Sequence, residues 1–441
     1  MGGSTRRTVI GAGMGLLAGT AFARYGFAAI PTTDVPEPDW QVESGAVLRV
    51  LRPAKFVPGD ETLWLENTKK FSEKYGVEVR VDSESWEDLR PKTAVAANVG
   101  AGPDVVLAWQ EDPQLFADKL VPLDDLTDYL GKKYGGWFPV TEVYGKKDGT
   151  WIAMPVGGSG STMVYRKSWA KEAGFDEFPK DFPGFLKICQ GLSEIGHPPG
   201  FAFGAIGDGG WTDTMLWGYD SSVVDENDKV VIDNPRTIES LNYVKELYKT
   251  FIPGTLSWLD PSNNKAFLAG EIGLTANGIS IYYAAKASDD PAVQAIADDI
   301  GHADFPIGPV GKPTQGALCI NAVIFKHSKY PNAAKQYLRF MMEEEQYVPW
   351  QIASNGYWCH PLAAYDANEI WTSDPKHTPY RDVMRNALPQ SYKGTPGEAA
   401  SAVRAEGVVL QMYSSVVAGD VTAEEAAAEA QRRAQRFYDR V

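Results

Sequence analysis

The chain has 441 residues, and 42 lysines and arginines stand against 57 aspartates and glutamates, a net charge of −15. That length implies two or three domains with ample core, and the near-average composition excludes a disordered, collagenous or coiled-coil chain. The acidic balance excludes a nucleic-acid groove, which needs a basic stripe along phosphates, and docking on an anionic membrane surface. Thirteen Trp, 20 Tyr and 18 Phe supply core, and the indole excess leaves rings for flat binding platforms. Cys189, Cys319 and Cys359 allow at most one disulfide, and no two lie close enough for a zinc motif, so they read as small buried hydrophobes. His197, His302, His327, His360 and His377 are scattered, so neither a metal site nor a cofactor is expected.

The amino terminus reads as an address. Ser4-Thr5-Arg6-Arg7-Thr8-Val9-Ile10 precedes a small-residue apolar run and an A-x-A site at Ala21-Phe22-Ala23, with a second possible cut at Gly26-Phe27-Ala28. Residues 1–29 are thus a signal peptide. The paired arginines resemble the twin-arginine export signal, an ordinary Sec signal being the alternative. The run is shorter than the ~20 residues of a spanning helix, and no cysteine precedes Cys189, so no lipoprotein anchor is expected. The mature protein is expected to be soluble and periplasmic. Residues 30–44 are Pro-rich and polar, and read as an exposed leader.

From there the elements alternate. Residues 47–51 predict a strand and 61–75 a helix with Trp64, Phe71 and Tyr75 on one face, stopped by Gly76. Val77, Val79 and Val81 alternate in a second strand, 89–99 is helical, and 104–109 is a buried strand. This order implies a parallel sheet and the α/β class, with ligands beyond the carboxyl ends of the strands. Extended segments at 152–155 and 161–165 flank Gly157-Gly158-Ser159-Gly160. Helices follow at 182–195 and 238–247, strands at 272–275 and 320–325, and a helix at 332–342. Thr422 and Glu425 form a capping box for the last helix.

Several short segments, in order, resemble the extracellular solute-binding proteins of ABC importers, in the branch that includes maltose- and glycerol-phosphate-binding proteins. They are Phe71 to Val79, Ser85-Trp86-Glu87-Asp88-Leu89, Gly102-Pro103-Asp104-Val105-Val106, Trp151 to Pro155 and Val164-Tyr165-Arg166-Lys167. Ala266 to Glu271 with Asn277-Gly278, Phe305 to Pro309, and Asn332 to Lys335 complete the set. Arg166 departs from the usual Tyr-Asn-Lys. The resemblance implies a two-lobed periplasmic-binding-protein-like α/β fold with crossing hinge segments, a cleft for a carbohydrate or polyol, and ABC permease subunits as partners to a monomer. By the same analogy the first lobe takes 45–155 and 271–315, and the second takes 157–270 and 317–441. Gly157 to Gly160 and Gln315-Gly316 would be crossings, where glycine tolerates hinge motion.

A sugar site pairs flat aromatics with side chains that hold hydroxyls. In the first lobe Glu84, Trp86, Trp109 and Gln110 follow strand ends, with Ser159 or Ser161 at the crossing. Trp211, after two glycines, is expected as an open platform in the second lobe, near Asn277 and Gly278. Trp358 is a further candidate, with Tyr357 and Arg404 weaker ones and Trp217 read as core. Tyr282-Tyr283 resembles the tyrosine pair of ferric-ion binders but reads as packing. Asp225 to Asp228 lacks the Gly and Glu of a calcium loop and reads as a hairpin turn. A secreted carbohydrate-active enzyme and a metal-binding protein are the rival readings. No GxSxG, HExxH or P-loop supports an enzyme, and none is expected.

Overall fold

The computed structural model describes residues 29–204 and 208–440, so the signal segment with Arg6 and Arg7 lies outside the described residues. The larger sheet begins with β1 (Val47–Pro53), β2 (Glu78–Glu84) and β3 (Val105–Ala108), all parallel, as the alternating pattern requires. The helix between β1 and β2 runs Pro58–Tyr75. Pro58 suits its first turn, Asp60 and Glu61 complement the dipole there, and Gly76 ends it at φ 67°. Trp64 and Phe71, two turns apart, bury its inner face. The next helix, Trp86–Val99, starts three residues before the expected point, because Ser85 caps it by accepting the Asp88 N–H at 3.1 Å.

A short hairpin of β4 (Lys146–Lys147) and β5 (Thr150–Trp151) leads into β6 (Met154–Gly160). The chain then crosses at Ser161 into β7 (Thr162–Arg166), the central strand of a second, three-stranded antiparallel sheet. Its neighbours are β8 (Leu274–Asn277) and β9 (Ile300–Ala303). The last strand, β10 (Ala317–Ile324), returns to the larger sheet antiparallel between β3 and β6, giving the order β2-β1-β3-β10-β6.

These pairings correct the expected return segments. Residues 271–315 were assigned to the first lobe, yet β8 and β9 pair with β7. Residues from 317 were assigned to the second lobe, yet β10 joins the first-lobe sheet. Local pattern marks a strand but not its partner. A third crossing follows: Gly316 bridges Leu388, and beyond it the helices Glu398–Ala405, Val408–Ala418 and Ala423–Tyr438 pack in the second core with Phe185, Leu216 and Leu241. The Thr422–Glu425 capping box is present. Cys189, Cys319 and Cys359 are buried free thiols.

The glycine run serves close packing more than backbone freedom. A Cβ at Gly158 would lie 1.9 Å from Met384 Sδ and 2.7 Å from the Leu318 carbonyl, and one at Gly160 would lie 2.3 Å from Val383. The leader, residues 30–44, is largely exposed but is strapped onto the first lobe. Trp40 donates to Asp125 at 2.7 Å, Glu37 pairs with Arg339 at 2.7 Å, and the Glu43 carboxylate accepts the Asn332 and Ala333 N–H groups at 2.9 Å each. Glu43 thereby places an anion at the N-terminus of the Pro331–Met342 helix, whose own cap residue, Tyr330, makes no side-chain cap hydrogen bond. Among the described residues, no helix is long and apolar enough to cross a membrane.

Candidate functional site

Between the two sheets lies a cleft of about 820 Å³, counting its open mouth. On the first-lobe side, the segments leaving β1, β2 and β3 deliver Phe56, Trp86 and Trp109 to it, beyond the strands' carboxyl ends. Trp86 is the first residue of its helix, and its Nε1 donates to the Ala54 carbonyl at 3.0 Å, which fixes the indole. Phe56 stacks on Trp86 with centroids 6.0 Å apart, and Trp109 meets Trp86 edge-on at 5.2 Å. The Arg90 guanidinium lies 5.3 Å from the Trp109 ring centroid, held by Glu111 and by Asp112 at 2.8 Å. Tyr357, 5.9 Å from Phe56, completes this aromatic wall.

The floor is the crossing itself. Ser159, Ser161, Gly316 and Leu318 line it, and Gln315 Nε2 donates to the Ser161 carbonyl at 2.6 Å. Gln110 lies against this floor, its Oε1 accepting the Cys319 N–H at 3.4 Å. Gly278 faces it, and a Cβ there would stand 2.8 Å from Ser159 Oγ, so glycine permits the close approach. Burial pushes the Tyr357 phenol up, with Ser159 acting against it.

The second-lobe wall is polar. Asn277 ends β8 and donates to Asn264, whose own amide donates to Ser280 Oγ at 2.9 Å. Arg404 enters from the Glu398–Ala405 helix and pairs with Asp213 at 2.9 Å. Burial raises the Asp213 carboxyl, and Arg404 opposes the rise. Asp208 and Asp260 stand beside them, the Asp208 N–H donating to Asp260 Oδ1 at 3.0 Å. Burial, reinforced by Asp260, holds the Asp208 carboxyl well above the ordinary carboxylate range against a pull from Asn263. Asp260 is raised by burial too, with the Asp208 N–H opposing and Glu87 adding to the rise.

The structure thus brings Trp86, Trp109, Gln110, Ser159, Trp211, Asn277 and Gly278 to one cavity. Glu84 and Trp358 are corrections. β2 is the outermost strand of its sheet, so Glu84 ends beside a separate surface groove and pairs with Lys92. Trp358 is only 2 % exposed and stacks behind the wall between Trp86 at 6.2 Å and Trp350 at 5.9 Å. Trp211 lines the cleft but is not the open platform expected. It begins the Trp211–Gly218 helix, is 3 % exposed, donates to the Ala202 carbonyl at 3.0 Å, and packs among Phe201, Phe203 and Phe251. Phe56 lies at the cleft as the strand-end rule expects of the segment after the first strand. Sequence reasoning missed Asp208, Asp260 and Asn264, which sit on loops or a short helix without a local signal.

The competing motifs resolve as structure. Trp217 is core. Tyr282 packs in the first core and bonds Asp374 at 2.5 Å, and Asp225 closes a turn between Val224 and Val230. Among the described residues no group of three or more His, Cys, Asp or Glu is placed to hold a metal ion.

Comparison with known proteins agrees with this architecture. The receptor GacH of Streptomyces glaucescens, solved unliganded and with acarbose, superposes with a TM-score of 0.75 at 18% identity, over 90% of this chain and 99% of its own. Maltose-bound MalE3 of T. maritima gives 0.74 at 20% identity over 89% and 100%. A laminaribiose-bound sugar transporter of Arthrobacter chlorophenolicus A6 gives 0.76 at 17% over 89% and 99%. These likenesses establish the two-lobed fold. A probable ABC transporter-binding protein of Deinococcus radiodurans is 27% identical over 269 residues, 57% of this chain and 61% of that relative, so the match spans about three fifths of its length. The family model of the bacterial extracellular solute-binding proteins matches residues 66–379, most of the chain, and the chain belongs to that family.

Proposed function

We propose that the protein is a carbohydrate- or polyol-binding protein that delivers its ligand to an ABC permease. The observation that carries this reading is the pairing of two unlike walls across one cleft. Phe56, Trp86 and Trp109 offer apolar faces for sugar C–H groups, and Asn264, Asn277 and Ser280 offer amides and a hydroxyl for its hydroxyl edge. The ligands of the superposed proteins, maltose, laminaribiose and, in an Agrobacterium vitis protein, D-mannitol, support the same ligand class. In this role Gln110, Ser159 and Gly278 contact ligand at the floor, and Trp211 closes the far wall. In this role the ligand leaves chemically unchanged.

Contact with both walls favours a closed arrangement of the lobes, hinged at the three crossings. In this reading the strands of 47–160 and 317–324 belong to one lobe, and those of 162–303 with the helices of 398–440 belong to the other. The protein acts as a monomer outside the cytoplasm after twin-arginine export. Thermal-shift screening of a carbohydrate and polyol library tests the reading. A ligand at about 100 times its dissociation constant stabilises the native state by ~2.7 kcal/mol. A library without any stabilising member, or one consumed on incubation, contradicts it.

A further inference from the structure

The carboxylates of the second-lobe wall exceed the cations beside them. Asp208 and Asp260 are neighbours joined through a backbone N–H, and Asp208 Oδ2 is buried with no hydrogen-bond partner among the described residues. Asp260 is 9 % exposed and feels Glu87 of the opposite lobe as a further negative charge. Arg404, the guanidinium lining this cavity, is joined to Asp213 at 2.9 Å and its charge also reaches Asp260, so one guanidinium stands among three carboxylates. Both carboxylates line the same cavity as Trp86 and Tyr357 of the aromatic wall.

Carboxylates opposite π faces form the environment that holds an alkylammonium group, through charge on one side and ring quadrupoles on the other. Beside a neutral polyol the two adjacent carboxylates resist ionising together, whereas an ammonium group between them compensates both charges. Hydroxyl recognition also has its own groups farther along the same wall, in Asn264, Asn277 and Ser280. Resting on the carbohydrate-binding reading, we propose that the ligand is an amino sugar or amino alditol. Its protonated amine sits between Asp208 and Asp260, against Trp86 and Tyr357.

Calorimetric titration at neutral pH with matched pairs tests this: glucosamine against glucose, 1-amino-1-deoxysorbitol against sorbitol, and the β-1,4-linked glucosamine disaccharide against cellobiose. The aminated member of at least one pair is expected to bind at least about tenfold tighter. That ratio is expected to fall toward one in Asp208→Asn and in Asp260→Asn, each first shown by its melting curve to be folded. Equal or tighter binding of the neutral member in every pair overturns the amine and leaves the carbohydrate reading standing. An amine preference that survives both substitutions overturns its placement. No binding by any of the six compounds overturns the proposal, and a negative carbohydrate and polyol library alongside it overturns the carbohydrate reading too.

Discussion

Across the cleft, the first-lobe wall is a continuous stack of rings, whereas the second-lobe wall is a set of carboxylates and amides set on an aromatic core. Indoles run in contact from Trp64 in the first core through Trp350, Trp358 and Trp86 to Trp109. Each ring is backed by another, so the wall is held by packing, with Trp86 and Trp350 also bonding the Ala54 and Asp60 carbonyls. On the other side Trp211 faces inward on three Phe rings, and Asp208, Asp260 and Asn264 line the cleft beside it. The contrast teaches that burial and lining are separate properties. Two of the aromatic residues at the cleft, Trp109 and Trp211, differ in what their removal does.

The largest effect is expected at Trp211. Trp211→Ala empties a site enclosed by Phe201, Phe203 and Phe251 and is expected to cost ~3–5 kcal/mol of stability by urea unfolding of the ligand-free protein. A loss below ~1 kcal/mol shows that the side chain is not part of the core. Trp109, 6 % exposed, also packs in a core, but Trp109→Ala is expected to weaken binding as well. Loss of a central aromatic anchor costs roughly 2 kcal/mol of affinity, about thirtyfold, in titration with the library compound giving the largest thermal shift. Undiminished affinity removes Trp109 from the site.

A smaller effect of opposite sign is expected for Asp208→Asn. The folded state raises this carboxyl, so its ionised form destabilises the fold at neutral pH. The penalty fades as pH falls through the folded pKa and is gone below the unfolded value near ~3.9. The variant is therefore expected to melt roughly 1–3 °C higher at neutral pH, with the gain shrinking to nothing in acid. A gain that is constant with pH, or a loss at neutral pH, shows that Asp208 is not held in this way. Glu84→Gln lies outside both walls. Its pair with the exposed Lys92 contributes little, so stability is expected to change by less than ~0.5 kcal/mol and affinity not at all.

Much of this arrangement was legible in the chain. The periodicities of Trp64 and Phe71, and of Val77, Val79 and Val81, report burial on one face, which local spacing encodes. Trp109 and Gln110 followed from the rule that segments after parallel strands border the crevice. Glu84 failed under the same rule because strand order, which puts β2 at the sheet edge, is a long-range property. Tyr357 and Trp358 are adjacent, with rings 5.1 Å apart and at 89°, so one lines the cleft and the other backs it. Nothing local decides which. The exchanged return segments have the same cause, since β8 and β10 each read as apolar runs with no mark of their partner sheets.

A crystal structure of the protein with the carbohydrate or polyol that stabilises it most measures the central claim directly. The expected result is one ligand between the lobes, its C–H face on Trp86 and Trp109 and its polar groups on Asn264, Asn277 and the Asp208–Asp260 pair. A ligand held by one wall alone, or seated in the groove beside Glu84 and Lys92, contradicts it.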